Sequence, residues 1–351
     1  MTQAAPRRRK TWIIAAPLAL LVLLACAWTA LWFYAARRAQ TEIDAWILRE
    51  AEVGRQWSCG ERSLAGFPFR FELVCRAPTL STKGGGPLRI TAASAHAVAQ
   101  IWNPNHIVAE FASPAKVEDL SRGVTYAATW SLLQMSDVGD STGKPQRLSV
   151  VADQVRLEVA APGGVSIQAY VAQHAELHMR RTPGGSGGRD GMDFALSLIG
   201  GESAALAATG TSGPVDMTLQ GHVSAADDMR AMSVPDRLRA WTQAGGVFRL
   251  DTLQITTPKS ALELSGTVSI DSEGRLNGPV KVGFSGVDDS LKALARAGLV
   301  PAEVAPIVGA LMLTGKPGDV AGRKGSTFSL TLRQGALQLG RYPVGVIPPL
   351  F

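Results

Sequence analysis

The stretch that most constrains this chain is Trp12 to Ala36 (WIIAAPLALLVLLACAWTALWFYAA), an uninterrupted run without a charge. At about 1.5 Å of rise per residue it can cross a hydrocarbon core of about 30 Å as a helix that satisfies its own backbone hydrogen bonds. Arg7, Arg8, Arg9 and Lys10 precede it, and only Arg37 and Arg38 follow before Glu42 and Asp44. The positive-inside rule therefore places the N-terminus in the cytoplasm and residues 39–351 beyond the membrane. Trp12, Trp28, Trp32 and Tyr34 stand toward the ends of the run, where amphipathic rings prefer the headgroup level, and Pro17 falls early enough to be tolerated. A cleaved signal peptide usually has an apolar region of about 7–15 residues, so the length favours a retained anchor. Leu23-Leu24-Ala25-Cys26 resembles a lipoprotein processing box, but the apolar residues continuing beyond Cys26 favour a small thiol in a membrane helix. Both readings keep the chain on the membrane.

The formal charge of +6 belongs to this N-terminal part. The first 38 residues hold six basic side chains and no acidic one, leaving 29 of each sign in the rest. A neutral exported part gives no reason to expect nucleic acid or another polyanion as partner. Beyond Cys26 stand Cys59 and Cys75, a pair in a segment expected to meet an oxidising compartment. A disulfide is expected over zinc, because no second Cys or His pair lies nearby at ligand spacing.

Residues 39–53 continue as an amphipathic helix, with Ile43, Trp46, Ile47 and Ala51 on one face. Then come Trp57-Ser58-Cys59 and Gly66-Phe67-Pro68-Phe69-Arg70-Phe71-Glu72-Leu73-Val74-Cys75, a strand with one apolar face entered through a Gly and Pro turn. This arrangement, with Ile101-Trp102-Asn103-Pro104-Asn105-His106 and the terminal Gly345-Val346-Ile347-Pro348-Pro349-Leu350, resembles a family of Gram-negative envelope proteins, domain of unknown function 2125. The motif residues are Trp57, Gly66, Phe67, Pro68, Phe69, Arg70, Trp102, Asn103 and Pro104. The resemblance implies no activity, catalytic residue or cofactor. With the topology it implies a single-pass bacterial inner-membrane protein. Its expected parts are a cytoplasmic tail at 1–11, the anchor at 12–36, a juxtamembrane helix at 37–56 and a periplasmic β-rich domain at 57–351, with a subdivision near 200–245 left open.

The fold class expected is mostly β, a large antiparallel sheet as one curved sheet or a sandwich, with a few short helices. Period-two alternation marks strands at 88–94, 106–112, 124–133, 148–159, 165–179, 193–199, 215–223, 262–270, 276–284, 326–332 and 336–339. Gly- and Pro-rich breaks separate them, none with the context of a phosphate-binding loop. Helical patterns occupy 236–243, 288–297 and 302–312. The unit from Leu262 to Leu299 also resembles strand-turn-strand units of AsmA-like envelope proteins, which implies a long curved sheet with a lipid-compatible inner face.

His174, Glu176 and His178 fall at i, i+2 and i+4 on one strand face, a candidate metal set, although a solvated strand face is the expected reading. His96, His106 and His222 lack obvious sequence partners, and no nucleophile elbow or zinc-protease helix is present. Three functions follow as expectations. The first is a non-catalytic anchored protein holding membrane lipid or another apolar ligand on one sheet face, which requires that face to stay uncovered. The second is an envelope assembly factor contacting a protein partner, with the apolar tail 342–351 as one surface unless it docks on its own sheet. The third, least expected, is a metal-dependent hydrolase.

Overall fold

The computed structural model describes residues 12–83, 86–142, 144–182, 190–203, 213–226, 233–286, 315–340 and 342–351. The helical patterns expected at 288–297 and 302–312 lie outside these residues.

Helix α1 runs from Trp12 to Glu52 without interruption. The expected boundary at residue 37 therefore does not break the helix, and its apolar and amphipathic halves form one rod about 60 Å long. The rod stops four residues before the expected end at 56. Gly54 adopts φ 83° and its N–H returns to the Ala51 carbonyl, a left-handed stop natural to glycine. Arg55 and Gln56, expected in the helix, instead open strand β1 (Arg55–Ser58).

Among the described residues eighteen further strands join β1 in one antiparallel sheet. They are β2 (Glu61–Ala65), β3 (Arg70–Arg76), β4 (Thr79–Thr82), β5 (Leu88–Gln100), β6 (Asn103–Asp119), β7 (Val124–Thr129), β8 (Leu132–Gly139), β9 (Pro145–Ala160), β10 (Ile167–Thr182), β11 (Gly191–Ser203) and β12 (Val215–Val223). After α2 (Val234–Gln243) follow β13 (Val247–Thr256), β14 (Ala261–Ile270), β15 (Leu276–Ser285), β16 (Lys316–Val320), β17 (Arg323–Arg333), β18 (Ala336–Leu339) and β19 (Tyr342–Val346). Strands β3 and β4 lie end to end along β5, flanked by β2 and β1. From β9 to β15 each strand pairs with the next, and β17 then pairs with β15. Along the far side of β17 lie β16 and β18, with β19 beyond β18. Among the described residues pairing is continuous through β11, β12 and β13.

Two departures from the expected strands have local causes. The stretch 124–133 is two strands, β7 and β8, set end to end between β6 and β9. The chain jogs where Trp130 turns its indole N–H to the Phe111 carbonyl at 2.7 Å. Strand β13 escapes the period-two reading because its register shifts between Leu250 and Leu253, a bulge that places two residues where alternation allows one. The outermost strands β1, β2, β16 and β19 are only four or five residues long. Pro317 and Pro343 sit in two of them, and both features blunt edge-to-edge pairing.

Candidate functional site

Residues paired across strands share a face, so the registers show where the apolar side chains collect. Leu64, Leu73, Ala97, Ala109, Met135, Val150, Leu177, Leu196, Leu219, Leu253, Leu264, Val282 and Phe328 are successive partners. At about 4.8 Å between strands the row is about 58 Å long and contains no polar residue. A parallel row begins at Phe71, Ala99 and Ile107, passes one charge at Asp137, and continues through Leu148, Met179, Phe194 and Gly221 to Leu250. In a two-layer sandwich such rows would form the enclosed core. Here only Ala109, Val282 and Phe328 of the first row are buried, and its ten other members are half-buried. The strands join in one sheet with one apolar face, and among the described residues that face is only partly covered.

The opposite face is polar and carries the candidate metal set. His174, Glu176 and His178 do share one face of β10, as the alternation requires, but they bind one another in a ladder. His174 places Nδ1 2.6 Å from Asp153 Oδ1 and Nε2 2.6 Å from Glu176 Oε1. His178 places Nε2 2.9 Å from Glu176 Oε2 and Nδ1 3.0 Å from Ser149 Oγ. The hydrogen bonds from Asp153 and then Glu176 raise the His174 pKa above 6.5, while those from His178 and then His174 lower that of Glu176. Among the described residues no group of three His, Cys, Asp or Glu side chains is arranged to hold a metal ion. Two histidines without sequence partners find spatial ones: His106 Nε2 lies 3.0 Å from Ser136 Oγ and His222 Nδ1 lies 2.7 Å from Asp193 Oδ1. His106, Ser136, Ser149, His178, Asp193 and Arg249 line a shallow groove of about 660 Å³, open to solvent.

The resemblance motifs occupy the junction between helix and sheet. Trp32, 4% exposed, stacks on Phe71 at 5.8 Å and meets Phe67 edge-on at 5.6 Å. Its indole N–H reaches the Arg70 carbonyl at 3.2 Å, and that of Trp28 reaches the Pro68 carbonyl at 3.0 Å. Higher up, Trp46 packs on Trp57 at 5.5 Å, and Arg62 pairs with Asp44 at 2.6 Å. Because Phe71 heads the second apolar row, the helix docks at the start of the apolar face. Phe69 lies 6.3 Å from Trp102, whose neighbours Asn103 and Pro104 open β6. Gly66 needs its φ of 105°, since a Cβ there would stand 2.6 Å from the Arg70 carbonyl oxygen. Cys59 and Cys75 form the expected disulfide. The sequence reading placed these aromatics near one another in the chain but could not see that they face α1.

At the other end, the C-terminal tail docks on its own sheet. It pairs with β18 as β19, donates from Leu350 N–H to the Gly274 carbonyl, and sets Phe351 under the Arg239 guanidinium at 5.1 Å.

The family model described as "Uncharacterized protein conserved in bacteria (DUF2125)" matches residues 32–348. No curated protein and no solved structure matches the chain.

Proposed function

The chain belongs to this DUF2125 family of bacterial proteins, and on that premise we propose that it is a non-catalytic, membrane-anchored envelope protein whose apolar sheet face carries lipid acyl chains. The carrying observation is the unbroken row from Leu64 to Phe328, apolar across the sheet and mostly half-buried among the described residues. Moving a methylene from water onto such a surface gains about 0.8 kcal/mol, so an acyl chain laid along it is held against water. Moving the same methylene from the bilayer gains almost nothing, which suits reversible loading.

The location follows as part of the proposal: a single pass through the bacterial inner membrane, N-terminus in the cytoplasm and sheet in the periplasm. Its support is the basic N-terminal flank, the disulfide, and the docking of the apolar run onto the sheet. Removing Trp28 and Trp32 as part of a leader would strip two donors and a buried ring from the folded domain, which supports the reading as a retained anchor.

The test is photocrosslinking of the full-length chain in membranes containing phospholipid with radiolabelled acyl chains. Benzoylphenylalanine replaces Leu219 or Leu253 on the apolar face, and Gln220 or Gln254 on the polar one. Label is expected at the first pair alone. Equal labelling of both faces, or none at Leu219 and Leu253, overturns the reading.

A further inference from the structure

The turns at the foot of the sheet sit at a depth that follows from their bonds to α1. Trp28 lies about 12 Å, and Trp32 about 6 Å, along the helix from the end of the uncharged run at Ala36. Centred on a core of about 30 Å, that run extends about 4 Å beyond it at each end, which places Trp32 just inside the hydrocarbon boundary and Trp28 about 8 Å inside. The two indoles hold the carbonyls of Pro68 and Arg70, so the β2–β3 turn lies at the same level. Four of its carbonyls are bonded within the fold and need no water. The Gly66 carbonyl accepts from Arg70 N–H, Pro68 from Trp28, Phe69 from Ile101 N–H and Arg70 from Trp32. Arg70 at this level is exposed and ion-paired with Glu72, its long side chain able to reach the headgroups, while the aromatic rings beside it are exposed: Phe67 is 49%, Phe69 57% and Trp102 65% exposed. Exposed aromatics of this kind are at home at a membrane interface and costly in water.

We propose that Phe67, Phe69 and Trp102, on the β2–β3 and β5–β6 turns, form a wedge inserted into the leaflet on the sheet's side of the same bilayer that α1 crosses. The wedge joins membrane to sheet without a water gap. Phe71 and Ile107, which lead into the second apolar row, stand directly above it, so an acyl chain can pass from leaflet to face along a continuous apolar surface. This rests on the anchored, lipid-carrying reading above and names where the lipid enters.

The experiment uses the full chain with Cys26→Ser, reconstituted in vesicles of phosphatidylethanolamine and phosphatidylglycerol. Single thiols introduced as Phe67→Cys, Phe69→Cys, Trp102→Cys, Leu20→Cys or Gln338→Cys carry an environment-sensitive fluorophore. Quenching by acyl-chain spin labels is expected at 67, 69, 102 and 20, and quenching by aqueous iodide at 338. If 67, 69 and 102 behave like 338 while 20 stays lipid-quenched, the wedge is overturned and the anchor stands. If 20 is also iodide-quenched, the anchor reading itself falls. Should substitution at 67 or 69 unsettle the turn, Trp102 on the neighbouring turn reports the same depth. Phe67→Ser, Phe69→Ser and Trp102→Ser combined are expected to abolish acyl crosslinking at Leu219 with the disulfide intact. Retained crosslinking would show that lipid enters elsewhere and would overturn the entry route.

Discussion

Replacing Trp32 by alanine should free the sheet from its helix, and the size of the effect can be worked from the contacts. The ring is almost wholly enclosed, stacked on Phe71 and edge-on to Phe67, and its N–H is bonded to the Arg70 carbonyl. Truncating a buried Trp costs about 3–5 kcal/mol. About 1–3 kcal/mol of this is the carbonyl left without its indole donor, and each aromatic pair adds about 0.5–1.5 kcal/mol beyond its area. Trp32→Phe keeps a ring against Phe71 and loses the donor, so its cost should be confined to about 1–3 kcal/mol. The assay is amide hydrogen exchange of residues 61–76 in the full chain held in lipid nanodiscs. At about 1.4 kcal/mol per tenfold, Trp32→Ala should accelerate exchange there by roughly a hundred- to several-thousand-fold, with Trp32→Phe between it and the parent. Acceleration below about tenfold for Trp32→Ala would refute the docking, because a helix that merely passes the sheet has nothing there to lose.

Breaking the disulfide with Cys59→Ser and Cys75→Ser opens a loop with a sequence separation of 16 and should lower unfolding free energy by about 3 kcal/mol in urea melts. Gly221→Val should destabilise by about 1–3 kcal/mol, because its side chain would enter space within 2.5 Å of the Arg249 carbonyl oxygen and 2.7 Å of Phe194 Cζ; Gly221→Ala, smaller by two methyls, should cost less in the same melts. The polar-face ladder should make stability pH-dependent. The His174 pKa is raised in the folded chain, so its stabilisation is complete below about 6.5 and fades as pH rises through the folded value. The urea midpoint of the parent should therefore fall toward that of His174→Gln as pH rises from about 6 to 9, and a constant difference would refute the linkage.

Much of this molecule was legible from period and punctuation alone. The charge-free run announced a long apolar helix, and alternation located strands such as 215–223 and 262–270 almost to the residue. Ser233 caps α2 through Asp236 N–H, and Pro235 stands in its first turn, so that helix too was local chemistry. The bulge at 251–252 hid β13, and four short edge strands have too few residues for a period to show. At the candidate site, His174, Glu176 and His178 were correctly placed on one face, but Asp153 and Ser149, which tie up their outward nitrogens, come from the neighbouring strand β9.

The sequence by itself determined where apolar and polar side chains fall along each strand, where the chain turns, and that its first helix is apolar enough for a membrane. Those are properties of residues within a few positions of one another. Only the tertiary structure decided that Leu64 through Phe328 line up in one row, that the strands join in one sheet instead of two, and that Trp28 and Trp32 bind carbonyls about 40 positions away. Register is set by which strand lies beside which, and a slip of a single residue would have sent each apolar side chain to the other face.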